Sequence, residues 1–208
     1  MTLDQHDALI VIDVQNDFCP GGALSVPGGD QIVSTLNHLI PKFQTVVMTQ
    51  DWHPAGHASF ASSHSAEPFS TTTLHYGEQT LWPDHCVQGS SGAQFHSGLK
   101  YNHANLIIRK GMHPGIDSYS AFFENDKTTA TGLSGYLRAM NIRRVFCAGL
   151  AYDFCVRYTA EDAVKENFET LVIEDACRAI DMNNSVDETR ESLQRIKVTS
   201  LQSQALAT

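Results

Sequence analysis

The chain has 208 residues, 42% of them hydrophobic and 18% charged, with a formal net charge of −9. That length suits one α/β domain with a sizeable core, and the acidic balance argues against nucleic acid or an anionic membrane as a general partner. Residues 1–7 are polar and carry two acids, so no secretory signal is expected there, and apolar runs such as 8–12 are far too short to span a bilayer. The five cysteines, Cys19, Cys86, Cys147, Cys155 and Cys177, are irregularly spaced and contain no C-x-x-C pair. Free thiols in a reducing cytoplasm fit them better than a disulfide framework.

In chain order, residues 8–14 are apolar nearly throughout and read as a buried parallel strand. Residues 30–40 place Ile32, Val33, Leu36, Leu39 and Ile40 on a helical stripe that ends at Pro41. Strands are expected at 45–49, 105–108, 144–149 and 169–174, with a last one at 196–199. Helices are expected at 133–140, 153–166 and 185–194. This alternation predicts a single α/β domain: a three-layer α/β/α sandwich around a parallel sheet of about six strands. The stretch 52–101 is the exception. It lacks periodicity, holds both tryptophans and six histidines (His53, His57, His64, His75, His85, His96), and is too long for an idle connection.

Ligands of open α/β sheets bind beyond the carboxyl ends of the strands. The residues expected at those ends are Asp13, Asp51 with His53, Lys110 and Cys155. Their convergence on one edge carries more weight than any one of them. Cys155 is expected in the first turn of a helix, where backbone N–H groups and the helix dipole favour a thiolate. Lys110 would lower its pKa further, and Asp13 could take its proton. Cys147, mid-strand, and Cys177 read instead as buried structural thiols. An acid at the end of five apolar residues needs a partner, and Lys110 is the obvious one for Asp13. Asp51-x-His53 is a compact ligand pair, since residues two apart on an extended segment point the same way. Carboxylate and imidazole together suit zinc, iron or manganese. His85, in Trp82-Pro-Asp-His-Cys86, is a third candidate ligand and His57 a fourth, which could equally be solvated. Phe18, Trp82 and Tyr119 could be core aromatics or the walls of a site for a flat ring.

These residues resemble the nicotinamidases within the isochorismatase-like cysteine hydrolases, over roughly residues 8–178. The similarity is carried by Ile12-Asp-Val-Gln-Asn-Asp-Phe-Cys19, Gln50-Asp-Trp-His-Pro54, Trp82-Pro-Asp-His-Cys-Val-Gln88, Arg109-Lys-Gly111 leading to Asp117-Ser-Tyr-Ser-Ala-Phe122, and Gly149-Leu-Ala-Tyr-Asp-Phe-Cys-Val156. The resemblance implies a catalytic triad of Asp13, Lys110 and Cys155, and one divalent metal, zinc first with iron or manganese as alternatives. Asp51, His53 and His85 would hold that metal in an insertion around 52–103. It implies that Phe18 and Trp82 sandwich the substrate ring. It also implies a cis Leu150–Ala151 peptide, with the Ala151 and Cys155 N–H groups forming an oxyanion hole. Tyr152 departs from the family, which usually has a small residue such as threonine there. The implied activity is hydrolysis of nicotinamide to nicotinate and ammonia in NAD salvage, in the cytoplasm. Small-molecule substrate is the only partner expected beyond a homo-oligomer, which the resemblance allows. Two other classes compete: a hydrolase of another small amide or ureido compound, which the metal motif disfavours, and a non-catalytic binding domain, which the intact triad disfavours.

Overall fold

The structure is a computed structural model, and it describes residues 1–206. Six parallel strands form the main sheet: β1 (Asp7–Ile12), β2 (Thr45–Asp51), β5 (Leu106–Lys110), β6 (Arg144–Leu150), β7 (Glu169–Arg178) and β8 (Thr199–Leu201), in the order β5-β2-β1-β6-β7-β8. A separate antiparallel hairpin, β3 (Thr71–Leu74) and β4 (Gly77–Thr80), lies within the insertion. The main helices are α1 (Ile32–Leu39), α2 (Leu133–Ala139), α3 (Arg157–Lys165) and α4 (Ser185–Arg195). Among the described residues no helix is long and apolar enough to cross a membrane.

The chain runs outward from β1 to β2 and β5, then returns across β1 to build β6, β7 and β8 on the other side. Right-handed crossovers place α1 on one face and α2, α3 and α4 on the other. The reversal falls between β1 and β6, so the crevice of this sheet opens where β1 and β6 end. Both central strands are buried along almost their whole length, which is why 8–12 and 145–150 are continuously apolar rather than alternating. Phe146, Leu9 and Ile10 are fully buried in this core.

Several boundaries differ from the sequence expectation for local reasons. β1 stops at Ile12 because Asp13 adopts a left-handed φ of 48°, which turns the chain out of the sheet. The helix expected at 153–166 is instead a π-helical turn, Tyr152–Val156, followed by α3. The last strand is Thr199–Leu201 rather than 196–199, since Ile196 caps α4 and Lys197 turns with φ 63°. The hairpin β3–β4 was not expected, although the β-branched run Thr71, Thr72, Thr73 signals a strand.

Gly149 marks the tightest approach between the central strands. With φ 131°, a Cβ there would sit 2.1 Å from the Ile12 carbonyl oxygen and 2.7 Å from its nitrogen. Backbone on both sides leaves no flexible neighbour to give way. Gly149→Ala is expected to lose more than about 3 kcal/mol of stability through combined overpacking and backbone strain. Urea denaturation of the variant measures this, and a midpoint equal to that of the parent would contradict the packing described.

Candidate active site

Four strand ends bring the chemistry together. Asp51 and Lys110 are register partners at the ends of β2 and β5. Asp13 follows β1, and Ala151 follows β6 through a cis Leu150–Ala151 peptide. Cys155 lies in the π-helical turn that comes next. The Lys110 ammonium, fully buried, sits 2.8 Å from Asp13 Oδ2, 2.7 Å from Asp51 Oδ1 and 3.5 Å from Cys155 Sγ, and donates to the Ser118 carbonyl at 2.8 Å. Burial opposes its charge, but Asp13 and Asp51 override that and hold its pKa well above the ordinary lysine range.

Asp13 is fully buried as well, and its Oδ1 accepts from the Thr49 hydroxyl at 2.6 Å. Burial raises its pKa, and nearby Asp51 adds to that against the pull of Lys110. Burial likewise pushes the Cys155 thiol well above its usual range, with Lys110 opposing and Asp13 and Asp51 reinforcing. Cys155 sits, as expected, in the first helical turn, a π-helical one that runs straight into α3, and it is only 7% exposed. Desolvation favours the protonated thiol, and Asp13 is close enough to hydrogen-bond with it.

Asp51, His53 and His85 offer ligand atoms that all lie within 4.8 Å of one another, and all three are buried. Each imidazole is fixed through its other nitrogen: His53 Nδ1 faces the Gly111 carbonyl at 3.0 Å, and His85 Nδ1 faces the Pro83 carbonyl at 2.8 Å. Those carbonyls require an Nδ1–H donor, so both Nε2 atoms are left as electron-pair donors aimed at Asp51 Oδ2, at 3.2 and 3.6 Å. Gly111, at φ 65°, is what lets His53 lie so close, because a Cβ there would be 2.4 Å from the imidazole. Gln15 grips the Asp51 backbone from both sides, accepting from its N–H and donating to its carbonyl, each at 2.8 Å. The donor set of one carboxylate and two imidazoles fits a divalent metal ion.

His57 packs against His53 with ring centroids 4.3 Å apart, yet both its nitrogens are engaged elsewhere. Nδ1 accepts from the Ser59 N–H, and Nε2 faces the carbonyls of His113 and Ile116 at 3.0 and 3.1 Å. It lies outside the group of Asp51, His53 and His85, and with His53 and Asp117 it makes a second group whose ligand atoms also lie within 4.8 Å of one another. His64, His75, His96 and His103 join neither group.

A narrow pocket opens onto Cys155. It holds about 330 Å³ of space free of atoms, the open mouth included. Phe18, Trp82, Tyr119 and Phe154 line it together with Cys155, Ala151, Asp51, His85 and Asp117. Trp82 meets Phe154 edge-on at 5.0 Å. Tyr152 stays out of this pocket and lines a separate surface groove with Arg178, Val186 and Arg190. Sequence reasoning gave no role to Thr49, Gln79 or Asp117. Asp117 lies 4.0 Å from His53 and had a visible signal, an acid seven residues beyond Lys110 in a quoted segment.

In the absence of metal, burial lowers the pKa of His53 but Asp51 outweighs that and lifts it to about 9. A ligating imidazole must be neutral, so metal binding displaces this proton. The raised pKa also stabilises the metal-free fold below 6.5, a contribution lost as pH rises through about 9. Calorimetric titration with zinc in buffers of different ionisation enthalpy is expected to show release of about one proton per ion near neutral pH. Affinity should rise with pH until His53 is neutral, and binding without proton release would contradict its assignment as a ligand.

The sequence model of the Isochorismatase domain matches residues 7–203. The chain is 54% identical over 187 residues to the nicotinamidase of Acinetobacter baylyi, covering 89% of this chain and 87% of that protein. The solved nicotinamidase and pyrazinamidase of Acinetobacter baumanii superposes with a TM-score of 0.96 at 53% identity, over 97% of this chain and 98% of that one. The pyrazinamidase of Pyrococcus horikoshii, solved in complex with zinc, superposes with a TM-score of 0.77 at 35% identity, over 95% of this chain and 99% of that one. From a domain match across nearly its whole length, the chain belongs to the isochorismatase family.

Proposed function

We propose that this chain is a cysteine amidohydrolase that converts nicotinamide to nicotinate and ammonia. The observation that carries the reading is the contact of Lys110 with both Cys155 and Asp13 beside a small aromatic-walled pocket that Cys155 lines together with Asp51 and His85 of the metal-ligand cluster. A flat heteroaromatic ring with a carboxamide suits that lining. Its ring nitrogen suits the ligand cluster and its amide carbon suits the thiol.

Asp13 takes the Cys155 proton, and the thiolate adds to the amide carbon to give a tetrahedral oxyanion. The Ala151 and Cys155 N–H groups are the proposed donors to that oxygen. Asp13 then passes its proton to the leaving nitrogen, the C–N bond breaks and ammonia departs, leaving a thioester. Water, deprotonated by Asp13, attacks the thioester, and the C–S bond breaks to release nicotinate and regenerate the thiol. Lys110 holds the Asp13 carboxylate and steadies the thiolate as it forms. Phe18 and Trp82 are the proposed clamps on the ring faces. Asp51, His53 and His85 would hold a divalent ion, here proposed as zinc, which supplies a Lewis acid for the ring nitrogen when bound.

The test is ammonia release from nicotinamide by the purified protein, before and after chelation and with zinc restored. Turnover should disappear on chelation and return with the ion. Cys155→Ala should lower kcat at least about a thousandfold while the protein stays folded. A Cys155→Ala protein with parental turnover would sink the mechanism, and a parent inactive on nicotinamide with zinc present would sink the substrate.

A further inference from the structure

We infer that Gln79, on the inserted hairpin, is the positioning residue that sets substrate-ring recognition in this pocket, an inference that rests on the function proposed above. Gln79 is 1% exposed and does not line the pocket. Its Nε2 donates to the Thr80 carbonyl at 2.6 Å and to Asp117 Oδ2 at 2.7 Å, with the Tyr119 hydroxyl 3.2 Å away. Its Oε1 accepts from the Tyr76 hydroxyl at 2.9 Å, with Asn125 Nδ2 at 3.4 Å.

The orientation of this amide is fixed by its neighbours. A carbonyl and a carboxylate on one side accept only, and the Asn125 amide nitrogen on the other donates only. One side chain therefore ties down two pocket groups, Asp117 and Tyr119, that come from a different segment of the chain. The effect on Tyr119 is directional. Its oxygen receives N–H groups from Gln79 and from Trp82 Nε1, each at 3.2 Å. The two hydrogens of Gln79 Nε2 go first to the Thr80 carbonyl and Asp117 Oδ2, so its contact with Tyr119 is a shared one, and among the described residues the phenol proton has no hydrogen-bond acceptor. A ligand acceptor, such as the ring nitrogen or carbonyl of an aromatic carboxamide, is the partner this wall suits. The same two N–H groups hold the Trp82 edge in register with Tyr119.

The conclusion concerns substrate binding, so KM should respond and kcat should not. Gln79→Met keeps the length and removes the hydrogen bonds. It is expected to raise KM for nicotinamide and Kd for nicotinate about tenfold, with kcat and bound zinc unchanged. Tyr119→Phe is expected to act in the same sense. Because Gln79 works through Tyr119, the doubly substituted protein should fall well short of the roughly hundredfold product of independent effects. Should Gln79→Met fail to fold, Tyr76→Phe loosens the same amide from outside the pocket and should raise the nicotinate Kd about threefold. A nicotinate Kd unchanged in the folded Gln79→Met protein, or in Tyr76→Phe where that is the variant read, overturns the inference alone, as does a full multiplicative product. A parent that neither turns over nicotinamide nor binds nicotinate overturns the proposed function and this inference with it.

Discussion

A lysine with no exposed surface holds this site together. Lys110 is buried among Asp13, Asp51 and Cys155, and each of those groups comes from a different strand end or turn. An ammonium out of water is unfavourable by several kcal/mol unless partnered, and so are the carboxylates facing it. None of the three can therefore be placed independently. The register of β2 against β5 sets Asp51 beside Lys110, and the left-handed turn at Asp13 swings its carboxylate over the same ammonium. Thr49 and the Ser118 carbonyl then satisfy what the ion pairs leave over. The strand order follows this need, since β1 and β6 must be adjacent for the thiol to reach the acid.

The parts of the fold that were legible in the sequence are those where burial is one-sided or complete over several residues. After their first residues β1 and β6 are continuously apolar because both faces of a parallel sheet are covered, and β2 carries the shorter apolar run Val46-Val-Met48, so composition alone marks them. The candidate site drew attention for a related reason: a charged residue at the end of an apolar run is conspicuous, as Asp13 is after Ile12. What escaped was set by contacts distant in sequence. Gln79 looks like any polar residue of a surface hairpin, and only its hydrogen bond to Asp117, thirty-eight residues on, ties it to a residue that lines the pocket. The end of β1 was misplaced because Val14 is apolar, while the turn is decided by φ at Asp13. The π-helical turn at Cys155 has no sequence period that separates it from an α-helix.

The insertion divides its work between two kinds of support. Backbone carbonyls of Gly111 and Pro83 orient the imidazoles of His53 and His85. A buried aromatic, Phe60, fills the space beneath them, with ring centroids 5.5 and 5.7 Å away. Asp17 anchors the chain just after His85 by accepting from the Cys86 N–H at 2.7 Å. A loop so tied is closer to a rigid wall than to a flexible connection. His57 belongs to the same support, lying against His53 with both nitrogens already engaged.

Burial at this depth also decides how the thiol can be used. The proton affinities of Asp13 and Cys155 are raised by the same desolvation and lowered by the same lysine. Both shifts favour the protonated form, so burial alone does not ionise the thiol, and Lys110 is the neighbour that favours its thiolate. A thiol activated mainly by a helix terminus would stand as thiolate at rest, open to oxidation. Cys155 is instead 7% exposed, where desolvation favours the thiol and the adjacent lysine opposes it. In the proposed mechanism its nucleophilicity is tied to proton transfer to Asp13, so a ligand that fills the aromatic pocket meets the thiolate as that transfer creates it.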